Sequence, residues 1–282
     1  MECLRVNDLC KKYEAFYLDH VSFSLEEGKI TGFIGRNGAG KTTTLKSMLN
    51  MVHPDSGDLS FFGLNFKDNE EEIKRNIGFV SGGINFYPRK KIKTITDVTK
   101  KFYKAWDEIA YQKYMKMFKL DENKTPSELS EGMKVKYSLV LALSHHAKLL
   151  MLDEPTSGLD PVSRDDLLDV FLQLMEEEKV TILFSTHITS DLEKCADNIV
   201  YIKEGKIYFE GKQDDFLKEY KKVEISPPDL VEQLEGKLIG CKKNRNGYSA
   251  IIKTTDFPIP ESVIVKDADL ETIMVHIEKE ES

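Results

Sequence analysis

Ile34-Gly35-Arg36-Asn37-Gly38-Ala39-Gly40-Lys41-Thr42-Thr43 is the stretch on which the reading of this chain turns. Residues 35–42 fit G-x-x-x-x-G-K-[ST], a pattern that carries physical meaning only between a strand and a helix. Both flanks comply. Lys29 to Ile34 is a short apolar, β-rich run, and Lys41 to Met51 has helical periodicity. Gly35, Gly38 and Gly40, with Asn37 and Ala39 between them, allow backbone N–H groups to curl around nucleotide β- and γ-phosphates where side chains would clash. The helix starting near Lys41 aims the positive end of its dipole at the same place. Lys41 is then placed to bridge the two phosphates. Thr42, with Thr43 beside it, offers a hydroxyl to Mg²⁺.

A second run completes the pattern. Leu149-Leu-Met-Leu-Asp153-Glu154 is an apolar strand delivering two adjacent acids to its C-terminal end, where ligands bind in open α/β sheets. Asp153 is expected to hold Mg²⁺ through its water shell, and Glu154 to orient or deprotonate the attacking water. An acid ending an apolar strand is ordinary by itself. Combined with the glycine-rich loop it becomes specific.

The rest of the chain organises around these two runs. Val180 to Phe184 is a third buried strand, and helical periodicity at Pro161 to Met175 and Thr189 to Ala196 supplies crossovers, so the class is α/β with a parallel sheet. Val21 to Leu25 and Leu59 to Phe62 read as antiparallel strands, and Ile199 to Tyr201 with Ile207 to Phe209 as a hairpin turning at Glu204-Gly205. Residues of about 85–146 carry Phe102, Trp106, Tyr114, Met117 and Phe118 at helical spacing and read as an inserted helical subdomain. The main domain is expected to span 1–220. Residues 221–282 form a small α+β appendage, with strands flanking Asn246-Gly247, the strongest two-residue hairpin signal, and a closing helix whose Leu270, Ile273, Met274 and Ile277 share one face.

In this order the motifs resemble the ATP-binding cassette (ABC) family over residues 1 to about 220. The resemblance implies a P-loop NTPase (ABC ATPase) core with an antiparallel β subdomain and an inserted helical subdomain. Leu129-Ser130-Glu131-Gly132-Met133 is similar to the family signature, Pro155-Thr-Ser157-Gly-Leu-Asp160 to its D-loop, and Ser185-Thr-His187 to its switch histidine. Tyr13 matches the aromatic residue that stacks on adenine. Singly, Ser130 would be a helix cap, His187 structural and Tyr13 packing; in family order they support a nucleotide site. The resemblance implies that Ser130 and Gly132 meet the γ-phosphate held by an opposite subunit. It therefore implies ATP and Mg²⁺ as ligands, a second ABC ATPase subunit, homo- or heterodimeric, and a separate transmembrane permease.

One position departs from the family pattern. Gly82, in Ile77-Gly-Phe-Val-Ser81-Gly82-Gly83, stands where a glutamine usually reaches the metal and senses the permease. The Phe102-Tyr-Lys-Ala-Trp106 run and the Asp269-Leu-Glu-Thr-Ile273 helix resemble bacterial exporter cassettes for peptides, antibiotics or lipids. Two other readings are a soluble cassette outside transport, which usually needs paired cassettes or coiled coils, and a weakly hydrolysing ATP-sensing subunit, which the missing glutamine suggests and Glu154 and His187 oppose.

Composition narrows the classes further. The 282 residues are 40% hydrophobic and 31% charged with a net charge of −8, a globular balance that disfavours a nucleic-acid partner. Cys3, Cys10, Cys195 and Cys241 show no C-x-x-C spacing, so reduced thiols are expected. No apolar run reaches the roughly 18–20 residues of a membrane span, and Met1 to Tyr13 lacks a secretory h-region. A cytoplasmic protein, peripheral on the cytoplasmic face of the membrane, is the expectation.

Overall fold

A computed structural model describes residues 1–81, 87–226, 231, 234, 236–245, 247–254 and 263–280. The strands are β1 (Glu2–Lys12), β2 (Tyr17–Glu26), β3 (Ile30–Ile34), β4 (Ser56–Phe61), β5 (Leu64–Asn65), β6 (Ile77–Ser81), β7 (Leu149–Asp153), β8 (Thr181–Thr186), β9 (Asn198–Lys203), β10 (Lys206–Lys212), β11 (Tyr220–Ile225), β12 (Ile239–Asn244), β13 (Gly247–Lys253) and β14 (Ile264–Asp267). The helices are α1 (Lys41–Met48), α2 (Phe66–Arg75), α3 (Ile92–Thr99), α4 (Glu108–Met117), α5 (Glu131–Ser144), α6 (Pro161–Glu178), α7 (Thr189–Cys195), α8 (Gln213–Glu219) and α9 (Leu270–Lys279).

The chain divides into two units, Met1–Glu210 and Gly211–Ser282. The division falls ahead of the residue-220 boundary expected from sequence, because α8 goes with β11, the rings of Phe216 and Tyr220 lying 5.3 Å apart. In the first unit, β3, β7 and β8 are buried at every position, as strands covered on both faces must be. They lie in a six-stranded sheet of order β10-β9-β3-β8-β7-β6, whose β9-β3-β8-β7-β6 pairings are parallel. The expected Glu204-Gly205 hairpin therefore extends the parallel sheet. Both turn residues have positive φ, 49° and 79°, which suits a two-residue turn.

A second sheet, of order β2-β1-β4-β5, packs on one face of the first. Val21 to Leu25 and Leu59 to Phe61 do lie in its strands, Phe62 falling just past β4, and each strand pairs with β1 and not with the other. Phe23 stacks on Phe33 at 5.5 Å between the sheets, in a core shared with Leu45 and Met48 of α1. Burying each such side chain contributes about 1.5–3 kcal/mol. The other face carries helices. Leu192 of α7 sits over Gly32, where a Cβ would meet it at 2.0 Å, and Phe171 of α6 meets Phe184 at 5.7 Å. Helices α3, α4 and α5 occupy the expected helical insertion, whose first residues, 85 and 86, lie outside the described ones. Within it Tyr114 and Phe118 are buried, but Phe102 is exposed.

The second unit is an antiparallel sheet of order β12-β13-β11-β14 with a core of Val223, Ile225, Leu234, Ala250, Ile252 and Val263. The expected hairpin forms one residue earlier than its signal: Gly247 opens β13 and pairs with Asn244, leaving 245 and 246 as the connection, of which Asn246 lies outside the described residues. Asp269 caps α9 by accepting from Thr272 N at 2.7 Å, and Leu270, Ile273, Met274 and Ile277 are buried as their spacing predicts.

Candidate nucleotide site

Strand β3 ends at Ile34 and α1 begins at Lys41, so residues 35–40 form the connecting loop. A Cβ on Gly35 would stand 2.4 Å from the Ile202 carbonyl oxygen, and one on Gly40 would stand 2.7 Å from the tips of Phe16 and Leu18. Gly38 and Gly40 take φ of +87° and +113°, in the left-handed region glycine favours. Arg36, Asn37 and Gly38 form the exposed crest, while Ala39 and Gly40 are buried. No side chain caps α1 at Gly40 and its first turn holds no acid, so the first N–H groups of the helix present positive potential to an anion.

The lysine and acids converge at the C-terminal edge of the parallel sheet. Lys41 is only 5% exposed, and a buried ammonium needs partners. Its Nζ donates to the carbonyls of Gly35 at 2.7 Å and Arg36 at 3.2 Å, and lies 3.2 Å from Oε1 of Glu154. Asp153 closes β7, with Oδ1 accepting from the hydroxyls of Thr42 at 2.9 Å and Ser185 at 2.8 Å. Ser81 Oγ, at the end of β6, reaches Oδ2 at 3.5 Å. Glu154 turns out of the strand with φ of +50°, an αL conformation that costs a non-glycine residue about 1–2 kcal/mol. Its N–H is held by Ser185 Oγ at 2.9 Å, and its Oε2 contacts Nδ1 of His187 at 2.9 Å.

The structure thus gathers Lys41, Thr42, Asp153, Glu154 and His187 into one cluster. Thr43 is half-buried on the first turn of α1. Other candidates sit elsewhere. Tyr13 is 43% exposed beneath Lys11 Nζ, 5.8 Å from its ring, and the aromatic ring touching the loop at Gly40 is Phe16. Ser130 caps α5, accepting from Met133 N at 3.3 Å. A Cβ on Gly132 would stand 3.7 Å from Ser163 and 3.8 Å from Leu159, so the start of α5 packs beside that of α6. Asp160 caps α6 by accepting from Val162 N and Ser163 N, and hydrogen bonds from Ser163 hold its carboxyl below the usual range. Gly82 lies outside the described residues. Ser185 was legible only as the neighbour of Thr186-His187; its link to both acids comes from the alignment of β7 with β8, which pairs it with Asp153.

A glycine loop between β3 and α1, opposite paired acids at the end of β7, defines a nucleotide-binding α/β fold. A family model for the ABC transporter matches residues 18–157. The bacitracin transport ATP-binding protein BcrA of Bacillus licheniformis is 34% identical over 222 residues, 78% of this chain and 72% of its own. The ABC transporter ATP-binding protein YtrB of Bacillus subtilis (strain 168) is 32% identical over 209 residues, 74% of this chain and 71% of its own. A solved ATP-binding subunit of an ABC transporter superimposes with a TM-score of 0.65 at 28% identity, covering 76% of this chain and 91% of that chain. The chain belongs to the ABC transporter family, as an ATP-hydrolysing, ATP-binding subunit of a transport system. ATPases of this family act with transmembrane permeases and form dimers. Among the described residues no helix is long and apolar enough to cross a membrane.

Proposed function

We propose that the chain hydrolyses MgATP at the Lys41–Glu154 cluster and so energises export of a peptide, antibiotic or lipid-like substrate through a separate permease. The observation that carries this reading is the convergence of Lys41, Glu154 and His187 beside the Thr42–Asp153 pair. Lys41 bridges the β- and γ-phosphates, and the N–H groups of Gly38, Ala39, Gly40, Lys41 and Thr42 cradle them. Glu154 takes the proton of the attacking water, and His187 holds that carboxylate in orientation.

Mg²⁺ suits the donor set. Thr42 and Asp153 supply hard oxygen atoms next to the phosphate loop, and Mg²⁺ uses few protein ligands beside phosphate and water. When bound, the ion would neutralise charge between the phosphates. Thr42 would hold it directly and Asp153 through water.

Ser130 and Gly132, at the N-terminus of α5, and Asp160, at the start of α6, serve a second cassette's nucleotide, and Tyr13 stacks on adenine. The chain then works at the cytoplasmic face of the membrane as half of a homo- or heterodimer. Similarity to BcrA, a protein named for bacitracin transport, supports an antibiotic-like cargo. Co-purification with a polytopic membrane protein, and MgATP hydrolysis that Lys41→Ala removes, is the expected result. Hydrolysis undiminished in Lys41→Ala sinks the site assignment, and the absence of any membrane partner sinks the transport reading.

A further inference from the structure

A second polar cluster lies inside the first unit, away from solvent. Thr156, 0% exposed, stands in the loop between β7 and α6, two residues after Glu154; Asp191, 1% exposed, stands on α7, four residues after His187. The Thr156 hydroxyl donates to Oδ2 of Asp191 at 2.6 Å. Arg164 of α6 brings Nε to 3.9 Å from Oδ1, an electrostatic partner beyond hydrogen-bond reach. That Nε is buried and bonds to no described atom.

Burial raises the Asp191 carboxyl, against the lowering effects of Thr156, Arg164 and His187. A cluster of this kind is a poor source of stability, since apolar residues of equal volume commonly serve a core as well or better. Its geometric effect is the informative part. Glu154 is held at φ of +50°, a conformation that persists only where the surroundings fix both sides of it. On one side its N–H is anchored by Ser185. On the other, the next buried side-chain anchor is Thr156 on Asp191. The segments 154–156 and 187–191 therefore meet at two points, Glu154 with His187 at 2.9 Å and Thr156 with Asp191 at 2.6 Å.

We infer that Thr156 and Asp191 are positioning residues for hydrolysis: their bond fixes the loop after β7 against α7 and so sets the contact of His187 with Glu154. The inference rests on the roles proposed above for Glu154 and His187. Both side chains are buried and bond to each other, not to Lys41, Thr42 or Asp153, so their loss should act on turnover and not on binding.

The test is single-turnover and steady-state hydrolysis of MgATP by the full chain. Thr156→Val keeps the side-chain volume and deletes the donor; it should lower kcat by about ten-fold or more with KM changed less than about two-fold. Thr156→Ser, which restores the donor, should recover kcat to within about two-fold of the parent. Adding His187→Ala to Thr156→Val should cost no more than His187→Ala alone, because both changes break one contact. Parental kcat in Thr156→Val, a matching rise in KM, a serine that does not rescue, or multiplicative losses in the double variant would each overturn the inference. Thr156→Ala takes the same readouts if the valine variant does not fold. Lys41→Ala in the same assay separates the two levels: if it hydrolyses like the parent, the site assignment fails, whereas an inactive Lys41→Ala beside a fully active Thr156→Val refutes the positioning role alone.

Discussion

Nζ of Lys41 lies 3.2 Å from Oε1 of Glu154, so the lysine of the phosphate loop and the acid that follows β7 form a single ion pair. In the proposed site a γ-phosphate would compete with that carboxylate for the same ammonium. Because Lys41 is buried and Glu154 mostly so, solvent screens the competition weakly.

Neutralising the carboxylate should therefore do two things at once. Glu154→Gln removes the competing charge and the proton acceptor, so MgATP should bind more tightly while turnover falls by roughly 10²–10⁴-fold. Calorimetric titration beside a phosphate-release assay reads both. Unchanged turnover would remove Glu154 from the chemistry.

Lys41→Ala should move binding in the opposite direction. Loss of charge-assisted hydrogen bonds to phosphate is worth about 1.5–3 kcal/mol, which weakens MgATP binding by roughly 10–150-fold. The same titration measures it, and parental affinity would contradict the proposed contact.

Gly35→Ala tests the loop geometry without touching a charged group. Its new Cβ would lie 2.4 Å from the Ile202 carbonyl oxygen, a backbone atom that cannot swing aside. A destabilisation of about 1–3 kcal/mol is expected, with weaker nucleotide binding as the loop shifts. Urea denaturation and titration together check it, and a variant matching the parent in both would show that the loop tolerates the added methyl.

His145 supplies a pH dependence. Its ring stacks on Tyr103 at 3.8 Å, its Nδ1 is buried without a hydrogen-bond partner, and burial pushes its pKa from 6.5 down to about 4. Between those values the unfolded chain binds a proton that the folded chain refuses. This contribution is complete above pH 6.5 and is lost as pH falls toward 4, at about 1.4 kcal/mol per pH unit inside that window. In His145→Phe, which keeps an aromatic ring against Tyr103, stability from urea melts should decline less between pH 7 and 5; an unaltered pH slope would exclude this histidine.

How much of this was legible from the residues alone varies with the kind of signal. The phosphate loop, the acids ending β7 and the buried stripe of α9 could be read because spacing and local chemistry suffice to define them. Strand β1 could not. Asp8 takes φ of +48° within it and the register shifts between Val6 and Leu9, so the alternation that marks a strand is broken. Strand β5, only Leu64–Asn65, is too short to carry a period. Ser185, Thr156 and Asp191 belong to ordinary residue types, and their importance arises from which strands and helices the fold sets side by side. Exposure is likewise a tertiary property, which is why Phe102 reads as core by spacing and lies in solvent.

The turn after β9 has a mechanical consequence. Gly205 donates its N–H to the Ala39 carbonyl at 3.0 Å, and its own carbonyl accepts from Asp19 N at 2.9 Å. A Cβ there would fall 1.9 Å from the Tyr17 carbonyl oxygen, leaving no slack. Two adjoining peptide units that meet at Gly205 thus rivet the phosphate loop to β2, so any flexing of the antiparallel layer must tug on the cradle through that glycine.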